Sequence, residues 1–71
     1  MAYEIWETST RNLVADFPSE EEALDVVRKT LRKHGAGHVS TWLLTYEDEN
    51  ATTSRLAAGM VLVARAQTAR D

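Results

Sequence analysis

Residues 17–35 read FPSEEEALDVVRKTLRKHG, and this stretch decides the fold. Pro18 has no amide hydrogen to give a sheet ladder, so a strand before it stops there. Ser19 and Glu22 stand in the S-x-x-E order of a capping box. In that motif the serine side chain accepts a bond from the amide of residue 22, and the glutamate returns one to the serine. Glu20, Glu21 and Glu22 put negative charge at the positive end of the helix dipole, while Arg28, Lys29, Arg32 and Lys33 crowd its negative end. Gly35 supplies the backbone freedom of a left-handed C-cap. Between the caps, Ala23, Leu24, Val27 and Leu31 form one apolar stripe, and Asp25 lies within helical reach of Arg28 and Lys29. The stretch predicts an amphipathic helix over residues 20–34, with one face against a core.

The flanks say what that core is made of. Upstream, residues 3–7 (YEIWE) and 13–17 (LVADF) alternate in the manner of strands, with the polar residues 8–12 (TSTRN) between them. They predict a β-hairpin with Tyr3 and Ile5 on one face, Trp6 on the other, and Leu13, Ala15 and Phe17 opposed to Val14 and Asp16. Downstream, AGH reads as a loop and VSTWLLTY (39–46) as a third strand, apolar on both faces. Val39 and Leu43 share one side of it; Trp42, Leu44 and Tyr46 share the other. EDENATT is an acidic turn, and SRLA reads as a short fourth strand. In the tail GMVLVARAQTAR, Val61 and Val63 favour a strand, whereas the Ala and Arg content favours a helix. The reading inclines to a helix, with Val63, Ala66 and Arg70 on one side and Leu62, Ala66 and Ala69 on a neighbouring line. The expected fold is a single α+β domain over residues 1–71. It has a small, mainly antiparallel sheet of three to four strands in ββαββα order, and the central helix packs on one face.

Composition narrows the chemistry. The chain has 71 residues, 44% of them apolar, a formal net charge of -3 and no cysteine. A chain without cysteine has no disulfide, no thiolate metal site and no cysteine nucleophile, and it suits a reducing, cytoplasmic setting. The opening MAYEIWETST lacks the basic and apolar regions of a signal peptide, and no apolar run approaches a membrane span. His34 and His38 have the four-residue spacing of helical metal ligands, but Gly35 and Gly37 lie between them and end the helix. Glu20–Glu22 and Glu47–Glu49 are carboxylate clusters at a helix start and in a turn, both solvated positions, whereas acid–base catalysis needs two carboxylates in unlike environments with at least one desolvated. No glycine-rich phosphate loop and no nucleophile motif is present. The expectation is a protein without enzymatic activity, cofactor, metal or small-molecule ligand.

Two candidate surfaces remain. Arg28, Lys29, Arg32 and Lys33 project from one side of the helix, and four such charges suit phosphate contacts. The net negative charge and the absence of stacking aromatics there argue against nucleic acid. The second surface is the sheet face away from the helix. Trp6 and Val14 fall on it by alternation, and Trp42 and Leu44 are assigned to it as the third-strand set that joins them. One helix does not cover both faces of a sheet, so either the tail folds over Trp6, Val14, Trp42 and Leu44, or another chain does.

A strand, a turn, a strand and a helix opening Ser19-Glu20-Glu21-Glu22-Ala23-Leu24 together resemble the first half of HicB-type antitoxins and other small bacterial ββα domains. The matching residues are Tyr3 to Phe17 and Ser19 to Leu24, and the resemblance covers roughly half the chain. It implies binding of a partner protein and autoregulation. No Gly-Asp-Thr precedes the helix here, and no separate DNA-binding module follows it. The function expected from the residues is a small protein–protein interaction module, self-associating or binding a protein partner. The alternative is a nucleic-acid-associated, antitoxin-like regulator using the basic helix end.

Overall fold

The computed structural model describes residues 2–68. Strands β1 (Ala2–Glu7) and β2 (Asn12–Phe17) form the expected hairpin, and helix α1 spans Glu20–His34. A four-residue helix α2 (Ala36–Val39) leads into β3 (Trp42–Glu47), which turns into β4 (Thr53–Ala58) and then helix α3 (Gly59–Thr68). The four strands make one sheet in the order β2-β1-β3-β4, each antiparallel to its neighbour. The fold is α+β. Since β2 and β3 both run against β1, they run parallel to each other with β1 between them, and α1 makes the crossover.

The caps set the ends of α1. Ser19 is extended (φ -140°, ψ 155°), and its hydroxyl accepts the Glu22 amide at 3.2 Å. The return bond differs from the usual box: Glu22 Oε2 accepts from the Ser19 hydroxyl at 3.2 Å, not from its amide. Gly35 has φ 85°, a conformation costly to any residue with a Cβ, and its amide reaches the Leu31 carbonyl at 2.9 Å.

Two corrections follow beyond α1. Residues 36–38 form no open loop, and the third strand starts at Trp42 rather than Val39. A single helical turn carries Val39 into the core with no exposed surface, and the Ser40 hydroxyl closes it on the Gly37 carbonyl at 2.8 Å. Burial of Val39 thus outweighs the strand preference of Val-Ser-Thr. The tail is helical. Gly59 adopts φ 55° to swing the chain from β4 into α3, and a Cβ there would meet the Ser40 carbonyl oxygen at 3.1 Å. Leu62, Val63 and Ala66 face the core from α3; Ala69 and Arg70 lie outside the described residues.

All the described helices sit on one face of the sheet. α1 lies over β1 and β2, α3 lies over β3 and β4, and α2 touches both. Between the layers is one core of Ile5, Ala23, Leu24, Val27, Val39, Trp42, Leu44, Ala57, Leu62, Val63 and Ala66. Two polar ties join α1 to α3. Arg65 pairs with Glu20, and Arg28 Nη1 donates to the Ala66 carbonyl at 2.8 Å. Ala66 lies in the last described turn of α3, where a cation is favoured. The accessible surface, 4597 Å², is close to the roughly 4,450 Å² expected of a folded monomer of this mass.

Candidate interaction surface

Cross-strand partners share a face of the sheet, so the pairing register sorts the side chains. Ile5 pairs with Ala15 and Leu44, and Leu44 with Ala57; this row lies under the helices. Tyr3, paired with Phe17 and Tyr46, continues the same face, and the two tyrosine rings lie 4.8 Å apart. The opposite face carries three rows. Leu13–Trp6–Leu43–Ala58 and Asp16–Glu4–Thr45–Arg55 each run across β2, β1, β3 and β4, and Ala2–Glu47–Thr53 runs across β1, β3 and β4.

The expected surface of Trp6, Val14, Trp42 and Leu44 is therefore not one surface. Trp42 (6% exposed) and Leu44 (0%) are in the core, because Leu44 pairs with Ile5 and Trp42 with Glu7 on the helix side. Leu43 takes their place beside Trp6, and both are half-buried. Leu13, expected with Ala15 in the core, is instead on the open face at 45% exposure. The cause is a bulge: the pairing shifts between Ile5 and Trp6, Val14 is the extra residue, and the phase of β2 flips beyond it. Val14 itself is 41% exposed beside Leu13. A second bulge at Leu56 interrupts the β3–β4 pair. The tail as far as Thr68 does not cover this face, since α3 lies beside α1 on the other one. Among the described residues nothing packs over Leu13, Trp6 and Leu43.

The polar row is unbalanced. Glu4 and Asp16 are direct cross-strand partners, and Arg55 stands across Thr45 on β4. Thr45, within this row, is buried, and its hydroxyl lies 3.4 Å from Glu4 Oε1. None of Glu4, Asp16 and Arg55 enters an ion pair among the described residues.

The basic cluster is less free than its sequence implies. Arg28 has 14% of its side chain exposed, because it caps α3 and faces Asp25 at 3.6 Å. Lys29 pairs with Asp25 at 3.1 Å, which holds the Asp25 carboxyl below its usual value. Arg32 and Lys33 are exposed. A depression of about 320 Å³ lined by Arg28, Leu31, Arg32 and Gln67 opens broadly to solvent, unlike the enclosed clefts that hold small ligands.

The remaining candidates are occupied by structural tasks. The His34 and His38 rings stack at 4.7 Å, and His38 meets the edge of Trp42 at 6.0 Å. Among the described residues they belong to no group of three metal-ligating side chains. Asp48 Oδ1 accepts the amides of Asn50 (2.9 Å) and Thr52 (3.0 Å), closing the β3–β4 turn. Glu7, which the sequence does not single out, ties both loops at its end of the sheet. Its Oε2 accepts the Thr41 hydroxyl at 2.6 Å, and its Oε1 accepts the Ser9 amide and hydroxyl at 2.7 Å each. The Thr41 and Ser9 bonds hold its carboxyl below the usual value. No described helix is long and apolar enough to cross a membrane.

Comparison of the chain with profiles of protein families, with curated proteins and with solved structures finds no match.

Proposed function

We propose that the protein is a small, non-enzymatic module of the cytoplasm that docks another protein chain on its open sheet face. One observation carries this reading: Leu13, Trp6 and Leu43 line up across three strands on the side away from every described helix. Trp and Leu so placed offer apolar area that gains from being covered, and tryptophan is over-represented among the residues that dominate binding. The core is complete without that face, so docking is an added capacity of a folded monomer rather than a condition of folding.

The nucleic-acid reading is weaker. Arg28 and Lys29 are engaged within the fold, and among the described residues Arg32 and Lys33 form no ion pair. Two phosphate contacts give weak, salt-sensitive binding.

Site-specific photo-crosslinking tests the docking reading. A benzophenone amino acid in place of Leu13 is expected to capture a protein chain, while the same probe in place of exposed Lys33 captures none. Equal capture at both positions, or none at Leu13, contradicts the proposal.

A further inference from the structure

We infer that the occupant of the open face is a second copy of this chain, related by a two-fold axis that runs along the strands. This rests on the docking reading above and names the partner. Glu4 and Asp16 face each other across β1 and β2, an arrangement that destabilises a strand pair unless a cation balances it. Arg55 is the cation of that row, but it stands on the far edge strand. It is three strand spacings from Asp16, roughly 14 Å, too far to pair within one copy. Each copy therefore displays an acidic edge and a basic edge in the same row, and neither is neutralised by the other.

A two-fold axis along the strands, lying between two stacked sheets, exchanges left and right and preserves position along the strand. With the order β2-β1-β3-β4, β2 of one copy then lies over β4 of the other, and β1 over β3. Asp16 meets Arg55 of the second copy, and Arg55 meets its Asp16. In the next row, Trp6 meets Leu43 of the second copy, and Leu13 meets its Ala58. Large faces small at the edges, where the bulge residue Val14 adds bulk beside Leu13. A two-fold axis across the strands fails both tests. It sets each strand over its own copy, so it brings Asp16 onto Asp16 or lays the charged row on the apolar row.

The sheet edges support a face-to-face arrangement. Both edge strands carry bulges, at Val14 and at Leu56, and bulges blunt an edge against addition of another strand. Area sets the strength. Four strands of six residues give a flat footprint of roughly 400 Å², below the roughly 800 Å² per partner of a standard interface. The pair is therefore expected to be weak and reversible.

Sedimentation equilibrium across micromolar to millimolar concentration tests this with three proteins. Wild type is expected to pass from monomer to dimer. Asp16→Arg and Arg55→Asp change exposed positions, so each keeps the wild-type circular dichroism. Each variant is also expected to dimerise roughly tenfold more weakly or worse, because each sets like charges together. An equimolar mixture of the two variants is expected to regain the wild-type association, since each supplies the charge that the other lacks. A wild type that stays monomeric, a dimer indifferent to both reversals, or a mixture no better than its components overturns the inference. The crosslinking result separates this failure from that of the docking reading: capture of a different chain at position 13 removes the second copy and leaves the docking face, whereas no capture removes both.

Discussion

Leu43 and Leu44 are neighbours in sequence and opposites in circumstance. Leu44 is sealed between the sheet and the helices, whereas Leu43 lies in a row with Trp6 and Leu13 that no described helix covers. The same contrast separates the two tryptophans, Trp42 inside and Trp6 outside. One sheet thus carries two apolar surfaces with different work. The covered one holds the chain together. The open one has no described helix over it.

Substitution at the paired leucines gives the largest expected effect. Leu44→Ala removes a fully buried side chain and is expected to cost about 3 kcal/mol, within the usual 2–5 for such changes. Stability in a domain this small is of the same order. Leu43→Ala is expected to cost about 1 kcal/mol or less in the dilute monomer and to weaken association instead. Urea titration at low concentration measures both; equal costs would erase the distinction between the faces.

The helix layer is sharpened by Arg28. Arg28→Ala leaves the Ala66 carbonyl without its charged donor and is expected to cost about 2 kcal/mol, the range for hydrogen bonds involving ionised groups. Arg32→Ala, an exposed change, is expected to stay within about 0.5 kcal/mol of wild type. If the two variants melt together, Arg28 is the free surface cation that its sequence suggests. The cap is next: Ser19→Ala is expected to cost about 1 kcal/mol, and an unchanged urea midpoint would place the start of α1 elsewhere.

The smallest effect concerns acid. The folded-state pKa of Glu7 is lowered by its bonds to Thr41 and Ser9, so folding binds fewer protons there than unfolding does. Its contribution is present above the unfolded value of about 4.5 and is lost as pH falls through the lowered folded value. Glu7→Gln is expected to flatten the part of the acid stability profile below about 4.5 while leaving association at neutral pH unchanged. A profile identical to wild type contradicts the role of Glu7.

The sequence is most legible where one local signal is sufficient. Pro18, Ser19, Glu22 and Gly35 delimit α1 because capping acts through near neighbours. It is least legible where a distant partner decides. Trp42-Leu43-Leu44 is apolar in both phases, so only the pairing of Leu44 with Ile5 tells which side is buried. Alternation in LVADF is sound as far as Val14, but the bulge there puts Leu13 on the side opposite to expectation. Residues 36–39 carry strand-like neighbours, and the demand for Val39 in the core makes them helical. Arg28 looks like its three basic neighbours until α3 ends beside it. The open face was anticipated from Trp6 and Val14; its full composition requires the register of all four strands.

Acrylamide quenching of Trp6 tests the central claim most directly, taken as the difference between wild type and Trp6→Phe so that Trp42 is left in place. Trp42 is expected to be shielded at every concentration, whereas Trp6 is expected to be readily quenched in dilute solution and to become shielded as the protein is concentrated. A Trp6 already as shielded as Trp42 in dilute solution, or equally quenched at the highest concentration, would contradict it.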